Sequence, residues 1–285
     1  MSAGAAGDAG AANIEAWSGK DRADENFPVG SALIRRDLRA HVHAFYAFAR
    51  NADDIADNAA LAADEKVARL DAMEAVLLGR RQEGSPSAAR LRRSLTETRV
   101  TARHSCDLLV AFRRDATKRR YANWEELLDY CRYSAMPVGR HVLDLHGENK
   151  TTYPASDALC TALQVLNHLQ DGQADLRTLD RCYLPRDLLA MHGAGVADLV
   201  GRAASPGLRR TFDALLDRVR LLNEEARDLP RRTRSRRLRL ETAVIVGLSE
   251  RLFRRLRHED PVKGRVRLHR TDIAASLVSA LRFLP

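Results

Sequence analysis

A chain of 285 residues, 45% hydrophobic but only 5% aromatic, is long enough to close a core around an internal cavity, and Leu, Ala and Val must build that core. Charged residues make up 30%, and no apolar run reaches the roughly 18 to 20 residues of a membrane-spanning helix. The net charge of +9 points to an anionic partner, for which nucleic acid, an anionic membrane surface and a diphosphate all qualify.

The Ala/Gly-rich start has no basic segment leading into an apolar core, so no secretory signal is read and a cytoplasmic location is expected. Residues 1 to about 20 are too small and polar to offset the entropy of ordering and are expected to be a disordered tail, with a short helix near 13–18. The remainder, 21–285, is read as one domain. Cys106, Cys131, Cys160 and Cys182 form no C-x-x-C pair and no zinc spacing, so they read as small buried hydrophobes.

Glu25-Asn-Phe-Pro-Val29 is extended, because Pro28 biases Phe27 away from helix. Helical spacing is read over 30–35, then from Leu38 through the following aspartates, and again over 64–80. Two further helices are expected at 87–104 and 106–115. The helix starting at Trp124 meets Pro137, which should kink it or break it. Ser134, Ala135 and Gly139 supply small side chains there, against which another helix or a long ligand could lie. A strong helix runs from Ser156 through Asp175, a loop covers 180–185, and a short helix follows at 186–192. A long amphipathic helix is read at 208–229 and a mostly apolar one at 240–256, separated by the basic run Arg231, Arg232, Arg234, Arg236, Arg237 and Arg239. That run reads as a solvated loop or as a contact for anionic lipid. A loop at 259–269 and a helix from Thr271 to Phe283 end the chain. No strand and no repeat are apparent, so the class is all-α, with ten or more helices around one core.

Two polar stripes carry the chemistry. Tyr46, Arg50, Asp53 and Asp57 fall at i, i+4, i+7 and i+11 of one helix, with Phe45, Phe48 and Ile55 directed elsewhere. Gln164, Asn167, Asp171 and Asp175 repeat the design more than a hundred residues later. Carboxylates one turn apart repel, and a hard cation such as magnesium reverses that penalty. A single Asp-x-x-x-Asp is usually a solvated face; two copies, flanked by Arg50, Asn167 and Arg181, favour metal ions held from two sides with a diphosphate between them.

These residues resemble the squalene/phytoene synthase family. Asp53–Asp57 and Asp171–Asp175 resemble its paired aspartate motifs on facing helices. Glu25-Asn-Phe-Pro-Val29, Tyr130-Cys-Arg-Tyr-Ser-Ala-Met-Pro-Val-Gly-Arg140 and Arg181-Cys-Tyr183-Leu-Pro185 resemble its flanking segments, in the same order. The resemblance implies an all-α isoprenoid-synthase bundle with a central cavity and Mg2+ held by Asp53, Asp57, Asn167, Asp171 and Asp175, with Asp54 as a further or alternative ligand. It implies diphosphate contacts from Arg50 and Arg181, and Tyr46, Tyr130 and Tyr183 bordering the reacting carbocation; core packing with a satisfied hydroxyl is the plainer reading of each tyrosine. Phe27, Ser134, Gly139, Gln164 and Asn167 are expected on the substrate side. His141 and His168 lie near the motifs and are given no role.

Within the family, the first motif and Ser134-Ala-x-Pro-Val-Gly-Arg140 resemble the bacterial hopanoid-pathway branch, of hydroxysqualene synthase type. The implied reaction is ionisation of presqualene diphosphate, rearrangement and water capture, without nicotinamide. His168-Leu-Gln170, Met136 and Asp180-Arg181 depart from the usual family residues. The alternatives are condensation of farnesyl diphosphate to presqualene diphosphate or squalene, condensation of geranylgeranyl diphosphate to phytoene, and a non-enzymatic assembly factor of the same fold. A nucleic-acid partner is not expected, since one arginine run without a recognisable motif does not make a binding face. Peripheral contact with an anionic inner membrane is.

Overall fold

The computed structural model describes residues 14–15 and 34–283. Twelve described α-helices follow in order: α1 (Arg39–Asp57), α2 (Ala63–Leu77), α3 (Pro86–Thr98), α4 (Arg103–Thr117), α5 (Trp124–Ser134) and α6 (Met136–Leu145). The second half comprises α7 (Tyr153–Leu179), α8 (Arg186–Met191), α9 (Pro206–Ala226), α10 (Leu229–Arg232), α11 (Arg236–His258) and α12 (Arg270–Ala280). Among the described residues there is no strand, only an isolated bridge between Arg120 and Cys182.

The ends are set by local chemistry. Ser85, Asn123 and Ser205 cap α3, α5 and α9 by accepting from Ala88, Glu126 and Leu208 backbone N–H groups. Pro86 and Pro206 occupy first-turn positions, where a missing N–H costs nothing. Helix α7 stops where Asp180 turns left-handed, at φ 52°. Pro137 opens α6 rather than bending one continuous helix: α5 ends at Ser134 and the chain breaks at Ala135. Of the two outcomes expected for this proline, the break is the one observed.

Three expectations are corrected. The apolar interior is not one core but two main clusters. Leu166, Phe212, Leu215, Leu216 and Leu252 anchor one; Phe48, Ile55, Leu70, Met73 and Leu91 anchor the other. The arginine run is not a loop: Arg231 and Arg232 end α10, and Arg236, Arg237 and Arg239 open α11, because arginine is a good helix former. Ile14 and Glu15, within the expected disordered tail, are docked on the turn before α3. Ile14 N–H donates to the Gly84 carbonyl, and Glu15 accepts from the Ser85 hydroxyl and the Ser87 N–H. Phe27, the rest of the tail and most of the helix expected at 30–35 lie outside the described residues; Ile34 and Arg35, at its end, are not helical.

Candidate active site

Every member of both stripes is half-buried: Tyr46, Arg50, Asp53 and Asp57 on α1, and Gln164, Asn167, Asp171 and Asp175 on α7. Fully exposed faces or fully buried ones would each exclude a cleft; half-burial along three turns is what a cleft wall shows. Phe48 and Ile55 point into the core instead, and Phe45, also buried, borders the cavity beside Tyr46. Arginines bind the carboxylates. Arg50 reaches Asp53 at 3.2 Å and Asp54 at 3.0 Å. Arg181, from the loop after α7, reaches Asp57 at 2.7 Å and donates to the Ala56 carbonyl at 3.1 Å. This contact ties the loop to the C-terminal end of α1. Asp54 is itself buried, which suits it to hold Arg50 more than to face the cleft.

Asp53 keeps 35% of its side-chain surface accessible yet lies deep among protein atoms, as a group at the floor of a cleft does. Its carboxyl is pushed up to about 8, by burial first and then by the Asp57 charge, against the pull of Arg50. Burial, with Asp171 and Asp57 beside it, pushes Asp175 up to about 7. Asp57 acts on both Asp53 and Asp175, so the stripes of α1 and α7 share one electrostatic field across the cleft.

A carboxylate that sequence reasoning missed organises the tyrosines. Asp115, at the end of α4, accepts from the Tyr130 hydroxyl at 2.7 Å and the Tyr183 hydroxyl at 2.9 Å. It is buried, which pushes it up to about 6 despite Arg181 and both tyrosines. The hydroxyls of Tyr130 and Tyr183 are therefore held in place by a common acceptor. His168 stacks on Tyr183 with ring centroids 3.7 Å apart, and burial holds its imidazole down to about 3, so it is neutral. The Gln164 amide nitrogen lies 3.3 Å from His168 Nε2. Tyr121 packs against both Tyr130 and Tyr183. The signal for Asp115 lay in its register: it continues the apolar stripe of Leu108 and Phe112, where a lone carboxylate needs a reason. Arg265, on the loop before α12, was also missed; it holds Asp171 through both carboxylate oxygens, at 2.5 and 2.9 Å.

Tyr46 also lines an apolar cavity of about 350 Å³ walled by α1, α6, α7 and α11. Phe45, Val142, Leu159, Leu163 and Ile245 are among its lining residues. Tyr46 and Leu163 line it, and the aspartates follow on the C-terminal side of both helices, so the two stripes run in the same direction. At the helical rise, Asp57 lies about 16 Å beyond Tyr46. Gly139 lines the cavity and also lets α6 approach α7: a Cβ there would sit 2.3 Å from Ser156 Oγ and 2.7 Å from Cys160 Sγ. Ser134 is not part of the lining; its hydroxyl is buried near the α5–α6 break without a hydrogen-bond partner. His141 stacks on Phe45 behind the wall at 3.8 Å.

Among the described residues, no three His, Cys, Asp or Glu side chains converge into a preformed ion site. The donor set still suits a hard divalent cation. Its oxygens are carboxylates, and after burial the next push on Asp53 comes from Asp57 and on Asp175 from Asp171 and Asp57, a repulsion that a bound cation would relieve.

Helices alone, a cleft of carboxylates and arginines, and an apolar cavity beside it together define an isoprenoid-synthase type of fold. The pattern of the squalene/phytoene synthase family matches residues 20–272. The chain is 48% identical to the hydroxysqualene synthase of Rhodopseudomonas palustris over 267 residues, 94% of this chain and 91% of that one. It is 45% identical to the hydroxysqualene synthase of Sinorhizobium fredii, across 90% of this chain and 88% of the other. The crystal structure of a squalene synthase from Alicyclobacillus acidocaldarius, 36% identical, superimposes with a TM-score of 0.72 over 82% of this chain and 88% of that one. A dehydrosqualene synthase, 21% identical with a TM-score of 0.79 over 91% of this chain and 92% of the other, shares the fold. The chain belongs to the squalene/phytoene synthase family and is an enzyme of it.

Proposed function

We propose that this enzyme converts presqualene diphosphate and water into hydroxysqualene and diphosphate. The observation that carries the reading is the pair of facing carboxylate stripes, with Arg50 and Arg181 among them, at one end of an apolar cavity. The similarity to hydroxysqualene synthases supports the choice of product. Six carboxylates (Asp53, Asp54, Asp57, Asp115, Asp171 and Asp175) outnumber the four cationic groups of this region, the guanidiniums of Arg50, Arg181 and Arg265 and the Lys66 ammonium. A diphosphate anion would be repelled from such a cleft without added cations.

Asp53, Asp57, Asn167, Asp171 and Asp175 would hold Mg2+, which when bound supplies Lewis-acid stabilisation of the departing diphosphate. Arg50 and Arg181 supply fixed donors for the same oxygens. The carbon–oxygen bond breaks with its electron pair leaving on the diphosphate. The cyclopropylcarbinyl cation rearranges, and water adds its oxygen to the cation and loses one proton. Tyr46, Tyr130 and Tyr183 border that cation, with the latter two hydroxyls fixed by Asp115 and Gln164 placed beside His168. Gly139 and the apolar cavity take the hydrocarbon, while Phe27 and Ser134 are assigned to the substrate side from sequence. No helix among the described residues is long and apolar enough to cross a membrane, and the reading includes peripheral contact with an anionic membrane from the cytoplasmic side.

The test offers presqualene, farnesyl and geranylgeranyl diphosphates separately to purified protein with magnesium and no nicotinamide, with products identified by mass spectrometry. Hydroxysqualene from presqualene diphosphate is expected. Phytoene from geranylgeranyl diphosphate, or no product at all from folded protein, would overturn the assignment.

A further inference from the structure

Helix α12 is inverted relative to an ordinary surface helix. Its face toward α11 is polar over the first two turns, and only Ala280 at its end joins an apolar cluster with Ala243, Val244 and Leu248. Asp272 is buried and pairs with Arg255 at 2.8 Å, and buried Ser276 accepts from Arg251 Nε at 3.1 Å. Gly247 lets α11 come this close, since a Cβ there would meet Ser276 Oγ at 3.1 Å. The outer face is apolar: Ile273, Leu277, Val278 and Leu281 are 44%, 47%, 67% and 56% exposed. Their spacing of i, i+4, i+5 and i+8 makes one stripe. Four of the nine large hydrophobic side chains exposed among the described residues fall in this single run.

Arginines border the stripe. Arg251, Arg254 and Arg282 line one recess beside it with Ser276 and Ser279. Arg231 and Arg282 lie over the Phe283 ring at 5.9 and 5.0 Å. Around this face six arginines (Arg227, Arg231, Arg251, Arg254, Arg255 and Arg282) stand against four carboxylates (Asp228, Glu250, Glu259 and Asp272). The border therefore carries excess positive charge around an apolar centre.

We propose that this face docks on an anionic lipid bilayer, with α12 lying in the plane of the interface. An apolar stripe with a basic border matches acyl chains beneath anionic headgroups. A second copy of the chain fits less well, because a two-fold contact would bring the same arginines together. The locus also differs from the one expected from the basic run. Of that run Arg231 reaches this face, over the Phe283 ring and within 3.8 Å of Asp228, while Arg239 turns back to donate to the Thr233 carbonyl. The proposal deepens the membrane contact in the reading above, and its test reads lipid partition rather than turnover, so failure of either is distinguishable.

The full chain would be sedimented with phosphatidylcholine vesicles, with and without phosphatidylglycerol, at low and high salt. Analytical ultracentrifugation without lipid would run in parallel. Wild type is expected to pellet with the anionic vesicles and to be released by salt. Leu277→Glu with Val278→Glu, both at exposed positions, should weaken partition by about tenfold or more while leaving the melting temperature and the turnover of detergent-dispersed substrate unchanged. Arg254→Gln with Arg282→Gln should weaken only the anionic, salt-sensitive part. No partition of the wild type, or equal partition of the Glu variant, would overturn the proposal. So would a lipid-free dimer that the Glu substitutions dissociate without any vesicle binding, which would make the stripe a self-association face.

Discussion

Replacing Asp115 with Asn tests the buried carboxylate that joins Tyr130 to Tyr183. Its raised folded-state value means that the folded protein holds this proton more tightly than the unfolded chain. Stability from this group is fully present below the ordinary carboxylate value and is lost as pH rises through about 6. A rise from 3.8 to about 6 corresponds to about 3 kcal/mol between protonation states. Roughly 2 kcal/mol of that falls between about pH 4.5 and pH 7.5. The Asn variant has no such dependence. Whatever constant penalty its amide brings cancels when the two pH profiles are compared. The variant should therefore gain on wild type by about 2 kcal/mol across that range, or about 3 to 4 °C in melting temperature for a chain of 285 residues. Thermal unfolding by circular dichroism in matched buffers reads this directly. Parallel profiles would refute the burial of a titrating carboxylate here. Turnover should also fall about 10- to 100-fold, because two hydroxyls lose a charged acceptor worth about 1.5–3 kcal/mol each.

Asp53→Asn and Asp171→Asn should each abolish turnover while retaining the fold, and each should remove the magnesium-dependent rise in melting temperature; full activity in either would refute the ligand assignment. In the wild type that rise should be larger at about pH 8.5 than at about pH 6, because protons compete for Asp53 and Asp175 below about 8 and about 7. Gly139→Ala should cost about 1–3 kcal/mol by forcing α6 from α7, and Ser156→Gly in the same chain should restore part of it, because the introduced Cβ meets Ser156 Oγ first; unchanged denaturant midpoints for the single variant would contradict the close packing.

The helices and both carboxylate stripes were legible because each is a local property. Helical spacing places Tyr46, Arg50, Asp53 and Asp57 on one face whatever the tertiary fold, and half-burial of all four is the outcome that spacing allows. Asp115 was not legible as a site residue, because its meaning depends on two tyrosines from other parts of the chain, Tyr130 on α5 and Tyr183 after α7. Arg265 sits on an irregular loop, where no periodicity points a side chain at Asp171. His168 reads as an ordinary core histidine until its stacking on Tyr183 is seen. The division of the core into two clusters is equally invisible locally, since apolar residues on α1 and α7 look alike in sequence whichever cluster receives them.

The arginines of the cleft also explain how so many carboxylates are tolerated without unfolding it. Each guanidinium holds a carboxylate of the stripes: Arg50 on Asp53 and Asp54, Arg181 on Asp57, Arg265 on Asp171. Asp53, Asp57 and Asp171 each keep about a third of their side-chain surface exposed, so solvent screening weakens those contacts, whereas the Arg50–Asp54 pair is largely buried. A guanidinium offers a phosphoryl group the same parallel donors that it offers a carboxylate. Exchange of one anion for the other therefore requires no new side-chain geometry on the arginine, only a cation to take over the released carboxylate. Pairing alone does not keep a carboxylate ionised: Asp53 beside Arg50, and Asp175 and Asp115 within the pull of Arg181, are all pushed up because burial outweighs the guanidinium. Burial thus sets the protonation of these carboxylates more than arginine pairing does: Asp53 is pushed up to about 8 although Arg50 holds it, and Asp175 to about 7, so a cation entering at either near neutral pH displaces protons.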